Sequence, residues 1–247
     1  MKRTTCHCIF ILLLFIQLVS CEKIIFHDSG DLLKDKITYD SFSKIMISSV
    51  FDVELFTDTV YSVEVEAFEA YIDYIHQTLD SGCVEIVDKN KLTWLPDYPR
   101  PTLKISFPKL DDHLHIMAPV KLITKDTLEL PVLRIISLGK VGDIDINIHA
   151  VNFQLTTGSD NYGYYIIKGK TENSRIWLRG SSIVDAYELN TNYTYVYNNS
   201  VGDCWVDVNN KLIARLNTLG SVYYQGNPDE IEIIEESGEG KLINTED

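Results

Sequence analysis

The sequence predicts an all-β protein whose successive strand pairs stack into a solenoid or a flattened two-sheet coil. Three observations support this fold class. From Ser43 onward apolar residues alternate with polar ones, which is typical of half-buried strands. Glycine followed by serine or aspartate recurs in the second half, and helical spacing is confined to one short segment. An antiparallel β sandwich is the alternative, because its turns also recur about every 8 to 12 positions.

The strands of the first half are marked by apolar residues two positions apart. Such pairs are Ile45 and Ile47, Val53 and Leu55, and Val63 and Val65. Further strands are predicted at Cys83 to Val87, Leu103 to Phe107 and Leu114 to Met117. Apolar residues at helical spacing predict one short helix over Glu69 to Leu79.

The second half contains a spaced glycine turn. Gly158, Gly180, Gly202 and Gly220 are each followed by serine or aspartate, and they recur at nearly regular intervals. Pairs of short β-rich runs lie between these turns. A unit of two strands and a turn cannot bury both of its faces alone, so successive units are expected to stack.

The amino-terminal segment has the form of a bacterial lipoprotein signal peptide, residues 1–20. Lys2 and Arg3 precede an apolar stretch from Ile9 to Val19, which is followed by Ser20 and Cys21. The stretch is shorter than the about 20 residues needed to cross a bilayer, so export with cleavage is favoured over a retained span. We expect Cys21 to carry lipid and residues 21–38 to form the lipidated tether. An ordinary secretory signal, with Cys21 merely following the cleavage site, is the alternative.

The chain is strongly acidic. Its 22 Lys and Arg against 36 Asp and Glu give a net charge of -14, and loss of Lys2 and Arg3 with the signal would leave 20 against 36, or -16. This balance argues against nucleic-acid or anionic-lipid binding, which needs clustered basic residues. The 45% hydrophobic content is ample for a folded core.

Two cysteines remain once the signal and the lipid site are set aside, Cys83 and Cys204. A disulfide between them and a pair of buried free thiols are both compatible with the sequence. No Cys-x-x-Cys pair accompanies them, so no metal site and no cofactor are predicted.

Three segments resemble one known family: residues 39–55, residues 142–147 and, most specifically, Gly220-Ser-Val-Tyr-Tyr-Gln-Gly-Asn-Pro228. They are similar to the putative auto-transporter adhesins with a head GIN domain, over residues 39–230. The resemblance implies a fold of right-handed parallel β-helix type and an envelope lipoprotein of the kind common in Bacteroidetes, with an adhesin label and no defined catalytic residues. Residues 231–247 are then expected to be a last strand and an acidic tail.

Candidate catalytic groups are sparse. Asp143 and Asp145 share one strand face, as do His113 and His115. No third ligand or general base accompanies either pair, and a solvated polar strand face explains both. The sequence therefore predicts no enzyme and no catalytic residue. A carbohydrate-active enzyme on a β-helix scaffold is the alternative from another functional class.

Aromatic residues crowd the repeat half, and about half of them are expected to be interior. Tyr193, Tyr195 and Tyr197 share one strand face, which is either the core side or an exposed ladder able to stack on sugars or peptides. The predicted role is adhesion or binding by an outer-membrane lipoprotein, with its lipid in the membrane and a glycan or protein as cell-surface ligand. A purely structural, self-associating envelope component is a further alternative.

Overall fold

The protein folds as a β-solenoid of about seven turns, 66% of it strand. The structure is a computed structural model, and it describes residues 29–93 and 98–246. The first half of the solenoid is built from short strands. The second half has five strands of 10 to 18 residues, followed by three short ones. The predicted fold class is confirmed.

The short strands and the helix lie before residue 125. They are β1 (Leu32–Tyr39), β2 (Lys44–Ile47), β3 (Phe51–Thr57), β4 (Tyr61–Phe68), α1 (Glu69–Ile72), β5 (Ile75–Asp80), β6 (Cys83–Asp88), β7 (Thr102–Phe107), β8 (Leu114–Ile116) and β9 (Val120–Thr124). The long strands and the closing short ones follow. They are β10 (Leu128–Ser137), β11 (Gly142–Thr157), β12 (Tyr164–Gly180), β13 (Ile183–Ser200), β14 (Cys204–Leu216), β15 (Val222–Gln225), β16 (Glu230–Glu236) and β17 (Leu242–Asn244).

Two walls of the solenoid are parallel stacks of strands. The first sheet has the order β5-β6-β2-β8-β10-β11-β12-β13-β14-β16. The second has the order β1-β4-β7-β3-β9-β11-β12-β13-β14-β15-β17. Strands β11 to β14 serve both sheets because each bends at a corner. In β11 the corner is at Val151 and Asn152, where two exposed neighbours interrupt the alternation.

The core is a set of apolar rows that run along the solenoid axis. In one row Ile135, Leu155, Ile176, Val196 and Ala214 are in register, each one turn of the solenoid after the last. All are buried. In parallel register each residue of one turn lies next to the corresponding residue of the following turn. The number of residues per turn therefore decides which residues share a row.

Glycines lie where neighbouring turns approach closely. A Cβ added to Gly202, Gly220 or Gly240 would lie 2.2, 2.0 or 2.1 Å from the carbonyl oxygen of the turn below. Two glycines of the predicted repeat, Gly202 and Gly220, are thus stacked on each other in successive turns, and Gly240 extends this glycine column by one turn. Gly180 is offset from it, since it pairs with Ser200 rather than with Gly202.

The ends of the solenoid are built differently. At the amino-terminal end, antiparallel pairing of β1 with β4, β4 with β7 and β5 with β6 closes both sheets. Strand β2 lies between β6 and β8, and β3 lies between β7 and β9. The turn formed by β2 and β3 is therefore inserted between two turns that come later in the sequence. At the other end β16 and β17 remain parallel edges.

Three sequence predictions need correction. The helix is only four residues long, Glu69–Ile72, and its predicted second half is β5, paired with β6. Residues 32–38 of the predicted tether belong to β1, an edge strand exposed on both faces and therefore without alternation. The predicted acidic tail includes β17, which continues the second sheet.

The antiparallel sandwich is also wrong, because the described strands from β8 onward pair in parallel. The predicted signal peptide and Cys21 lie outside the described residues.

Candidate binding face

Tyr193, Tyr195 and Tyr197 point away from the core. They alternate along β13 with buried Thr194 and Val196. Tyr193 is 45% exposed, and the other two are partly buried between neighbouring side chains. The sequence left open whether the three tyrosines face the core or form an exposed ladder, and in the structure they form the exposed ladder.

Parallel register extends each tyrosine into a row across the first sheet, perpendicular to its strands. The first row is Val132, Asn152, Asn173, Tyr193 and Lys211, and the second is Arg134, Gln154, Arg175, Tyr195 and Ile213. The third row is Ile136, Thr156, Trp177, Tyr197 and Arg215. Neighbouring strands lie about 4.8 Å apart, so residues of one row are in side-chain reach of each other.

The first two rows line a groove of about 500 Å³ on the outside of the sheet. Its walls are polar and aromatic side chains with two aliphatic ones. The lining residues are Val132, Arg134, Asn152, Phe153, Gln154, Asn173, Ser174, Arg175, Tyr193, Thr194, Tyr195, Lys211 and Ile213. Three cations therefore line the groove, and its lining includes no carboxylate.

The three cations differ in how far they are neutralised. Lys211 Nζ lies 2.7 Å from Glu230 and 3.1 Å from Glu232, and these carboxylates raise the pKa of the lysine. Among the described residues neither Arg134 nor Arg175 lies within 4.0 Å of a carboxylate oxygen. Arg134 donates one hydrogen bond, of 3.2 Å, to the carbonyl oxygen of Asp111. In the part of the chain that the structure describes, these two arginines therefore lack a direct ionic partner, although the whole chain has a net charge of -14.

The groove also holds amide groups. Asn173 donates from Nδ2 to Asn152 Oδ1 at 3.2 Å, which fixes the orientation of both side chains at the edge of the groove. Paired amides beside aromatic rings are suited to hydroxyl-rich ligands, because amides offer both donors and acceptors.

The third row continues the aromatic surface beyond the groove. The Arg215 guanidinium lies over the Tyr197 ring, 5.5 Å from its centroid. Its Nε is 2.7 Å from Glu235, but the N–H is not aimed at the carboxylate, so the contact is an ion pair rather than a hydrogen bond. Trp177 is the neighbour of Tyr197 on the next strand. Tyr197 thus lies between Trp177 and Arg215 in this row.

About half of the aromatic residues in the second, repeat-containing half of the chain were expected to be interior, and this expectation is wrong. Of the tyrosines and tryptophans in this half Tyr165 alone is buried, and Phe153 is the buried phenylalanine. Trp205 and Tyr223 instead stack on the outside of the second sheet, with ring centroids 5.3 Å apart and planes at 11°. The interior rows of this half are filled mainly by aliphatic side chains.

The acidic and histidine pairs each have partners close by in the structure. Asp143 and Asp145 face outward as predicted, and Lys168 Nζ lies 3.0 Å from Asp145. His113 contacts Asp112, and its ring meets His115 edge-on at 5.5 Å. Burial, with smaller effects of nearby charges, lowers the pKa of His115. Among residues 29–93 and 98–246 no group of three His, Cys, Asp or Glu is placed to hold a metal ion.

Cys83 and Cys204 are free thiols in the structure. Cys204 is buried, whereas Cys83 is partly exposed and so differs from the pair of buried thiols that the sequence allowed. They lie on β6 and β14, which are not neighbours in either sheet. Burial raises the pKa of both thiols. In the part of the chain that the structure describes, no helix has the length and apolar character needed to span a membrane.

The arginines of the groove were missed by the sequence analysis. Arg134 and Arg175 are distant in the sequence and share no motif. The sequence indicates their proximity only through their spacing, which equals two turns of the solenoid and so places both residues in one row.

Comparisons with known proteins agree with the fold. The family described as putative auto-transporter adhesin, head GIN domain, matches residues 41–228. A putative adhesin from Bacteroides fragilis superposes with a TM-score of 0.78 at 18% identity, over 87% of this chain and 97% of that one. No curated protein sequence matches the chain.

Two structures from Parabacteroides distasonis are also similar. A putative adhesin has a TM-score of 0.59 at 16% identity, covering 87% of this chain and 98% of its own. A protein described as a putative lipid binding protein has a TM-score of 0.54 at 15% identity, covering 87% and 97%. At these identities the likeness establishes the fold.

Proposed function

Because the chain belongs to the family of putative auto-transporter adhesins with a head GIN domain, we propose that it is a non-catalytic, lipid-anchored binding protein of the cell envelope. The observation that carries this proposal is the outer face of the first sheet. There Tyr193, Tyr195 and Tyr197 stand in and next to one groove, beside two arginines that have no carboxylate partner among residues 29–93 and 98–246.

The rigidity of this face supports a binding role. Its side chains stand on five strands, β10 to β14, each paired on both sides, so little order must be gained when a ligand binds. Tyrosine adds large contact area at low cost in side-chain entropy. Such a face is preorganised for recognition.

The composition of the groove supports a non-catalytic role. Glycoside hydrolysis uses a pair of carboxyl groups that flank the scissile bond, and the groove lining has none. The carbohydrate-active enzyme alternative would need its acids elsewhere, and Asp145 is already paired with Lys168.

Lipidation at Cys21 would place this face at the membrane surface. The first strand, β1, begins at Leu32, at the closed end of the solenoid. The connection from Cys21 to Leu32 spans at most about 35 to 40 Å when fully extended. We propose that the solenoid is held by this connection at the outer membrane, with its open end away from the anchor.

Binding is tested with the full chain in detergent, probed on arrays of glycans and host matrix proteins. We expect saturable binding that falls at least tenfold when Tyr193, Tyr195 and Tyr197 are all replaced by serine. The matched control is Tyr164→Ser, an exposed tyrosine of the second sheet. A folded protein that binds no ligand on either array, or an equal loss in the control, would contradict the proposal.

Anchoring is tested by labelling cells with radioactive palmitate. The full chain should incorporate label and fractionate with outer membranes, and Cys21→Ser should abolish both. Cys8→Ser, within the predicted signal, is the control and should leave labelling intact. Label retained by Cys21→Ser would refute the lipoprotein assignment while leaving the binding proposal standing.

A structural, self-associating role is the second candidate, favoured by the open end of the solenoid. Ile231 and Ile233 stand in register with buried Leu212 and Ala214 but are 44% and 47% exposed. Unpaired strand edges are templates for association. Light scattering over a hundredfold concentration range tests this role, and Ile233→Lys should abolish any concentration-dependent growth in mass.

A further inference from the structure

The groove on the first sheet has a charge opposite to that of the whole protein. The chain carries -14, so its general field repels anions. Within the groove, however, Arg134 and Arg175 have no carboxylate partner among the described residues. A local positive site on an acidic protein selects for a short or flexible anion that can enter the groove, and against long polyanions that must lie along the surface.

The two guanidinium groups have a defined separation. Arg134 and Arg175 occupy the same row, two strands apart, with Gln154 between them. Strand spacing puts their Cα atoms about 10 Å apart. Each planar guanidinium can bind a carboxylate through two parallel hydrogen bonds. The arrangement suits a ligand with two carboxylates, or with one carboxylate and a neighbouring polar group.

The remaining walls fit a saccharide. Tyr195 follows Arg175 in the same row, and Tyr193 follows Asn173 in the next. Aromatic rings stack on the apolar faces of sugar rings, and the paired amides of Asn152 and Asn173 would be in place to bind the hydroxyl groups of a ring held there. A fatty acid would need an apolar channel, which two partly exposed aliphatic side chains do not supply.

We propose that this groove binds an acidic oligosaccharide, a chain containing uronate or sialate residues, with its carboxylates on Arg134 and Arg175 and a sugar ring against Tyr195. This inference rests on the proposed binding function and names its ligand class. Arg175 is the central residue, since it lies between Gln154 and Tyr195 and is exposed.

The test uses matched acidic and neutral probes with the full chain in detergent. The probes are tetragalacturonate and its carboxyl-reduced counterpart, and sialyllactose and lactose, measured by titration calorimetry. We expect at least one acidic probe to bind tenfold or more tightly than its neutral counterpart. Arg175→Gln and Arg134→Gln should each weaken that binding about tenfold or more. Arg175→Lys should give an intermediate loss, because it keeps the charge without the paired hydrogen bonds.

The control variant is Lys121→Gln, which removes one exposed positive charge from β9 in the second sheet. It should leave affinity unchanged, and all variants should keep the melting temperature of the parent. Equal affinity for the acidic and neutral probes would overturn the acidic-ligand inference and leave the binding function intact. Binding of an oligonucleotide or of phosphatidylglycerol in mixed micelles that depends on Arg175, without binding of either acidic saccharide, would overturn it as well. The acidic-ligand inference would also be overturned if the chain bound none of these probes but still bound a protein on the matrix array.

Discussion

At the residue scale, the solenoid interior contains one polar cluster built around a tyrosine. The hydroxyl of Tyr165 lies 2.9 Å from Ser137 Oγ and 3.0 Å from Asn161 Oδ1. Asn161 also accepts from Ser182 at 2.7 Å and donates to the Gly139 carbonyl at 2.7 Å. Every member is buried, and a satisfied buried network specifies one arrangement of its surroundings. The cluster therefore fixes the corner between successive turns.

The Tyr165 hydroxyl gives stability a defined dependence on alkaline pH. Burial raises the pKa of Tyr165 from 10.0 to about 12. Between these values the unfolded chain loses this proton and the folded chain keeps it, so the free energy of unfolding falls as pH rises. The difference between the two pKa values corresponds to about 3 kcal/mol lost from this group across that window.

Tyr165→Phe isolates this effect. At pH 8 the variant should be less stable by about 1 to 3 kcal/mol, because Ser137 and Asn161 lose a buried partner. At pH 11 that deficit should shrink. Denaturant titrations at the two pH values measure it, with Tyr193→Phe, whose ring is exposed, as the control. A deficit of the same size at both pH values would show that Tyr165 is not the titrating group.

At the element scale, the turns of the solenoid depend on a glycine column rather than on turn conformation alone. Gly220 has its amide 3.1 Å from the Ser200 carbonyl, and its missing side chain lets the Gly202 carbonyl approach. The space is set by the spacing between turns, which strand pairing fixes at about 4.8 Å. A side chain at this position cannot be accommodated without separating two turns.

Gly220→Ala should therefore destabilise the protein by about 1 to 3 kcal/mol or more, because the new Cβ would lie 2.0 Å from a backbone oxygen. Gly158→Ala is the matched control, since its nearest atoms are at 3.4 Å and belong to Leu138. Thermal unfolding followed by circular dichroism compares the two. Similar melting temperatures for both variants would mean that the turns can separate freely.

At the scale of the whole molecule, stability should vary along the solenoid axis. Each turn contacts only its neighbours, so a side chain in a central turn is covered on both sides and one in the last turn on one side. Ile176 and Ile233 occupy the same interior row. The first is fully buried and the second is 47% exposed.

This difference in burial predicts that the same substitution lowers the free energy of unfolding by different amounts at the two positions. Ile176→Ala should cost about 2 to 5 kcal/mol, the range for a buried large-to-small change. Ile233→Ala should cost clearly less, because much of its surface is already in contact with water. Urea unfolding of both variants supplies the comparison. Equal losses would indicate that another molecule covers the open end in solution.

The sequence by itself determined the fold class and the family, and most strands of the first half. Ile45 with Ile47 and Val53 with Leu55 alternate cleanly because one face of each strand is buried. Where both faces are exposed, as in β1, no alternation exists, and the sequence predicts a tether instead. The predicted helix is too long because the apolar spacing through Ile75 and Leu79 fits a helix as well as an edge strand.

Tertiary structure alone decided the outward direction of Tyr193, Tyr195 and Tyr197 and the assembly of the groove. Alternation places the three tyrosines on one face without saying which face is the core, and that choice depends on where the rest of the solenoid packs. Arg134 and Arg175 lie in one row because parallel register aligns positions that are two turns apart in the sequence. Register arises from pairing between whole turns, so a binding site made of one residue from each turn is created only when they stack.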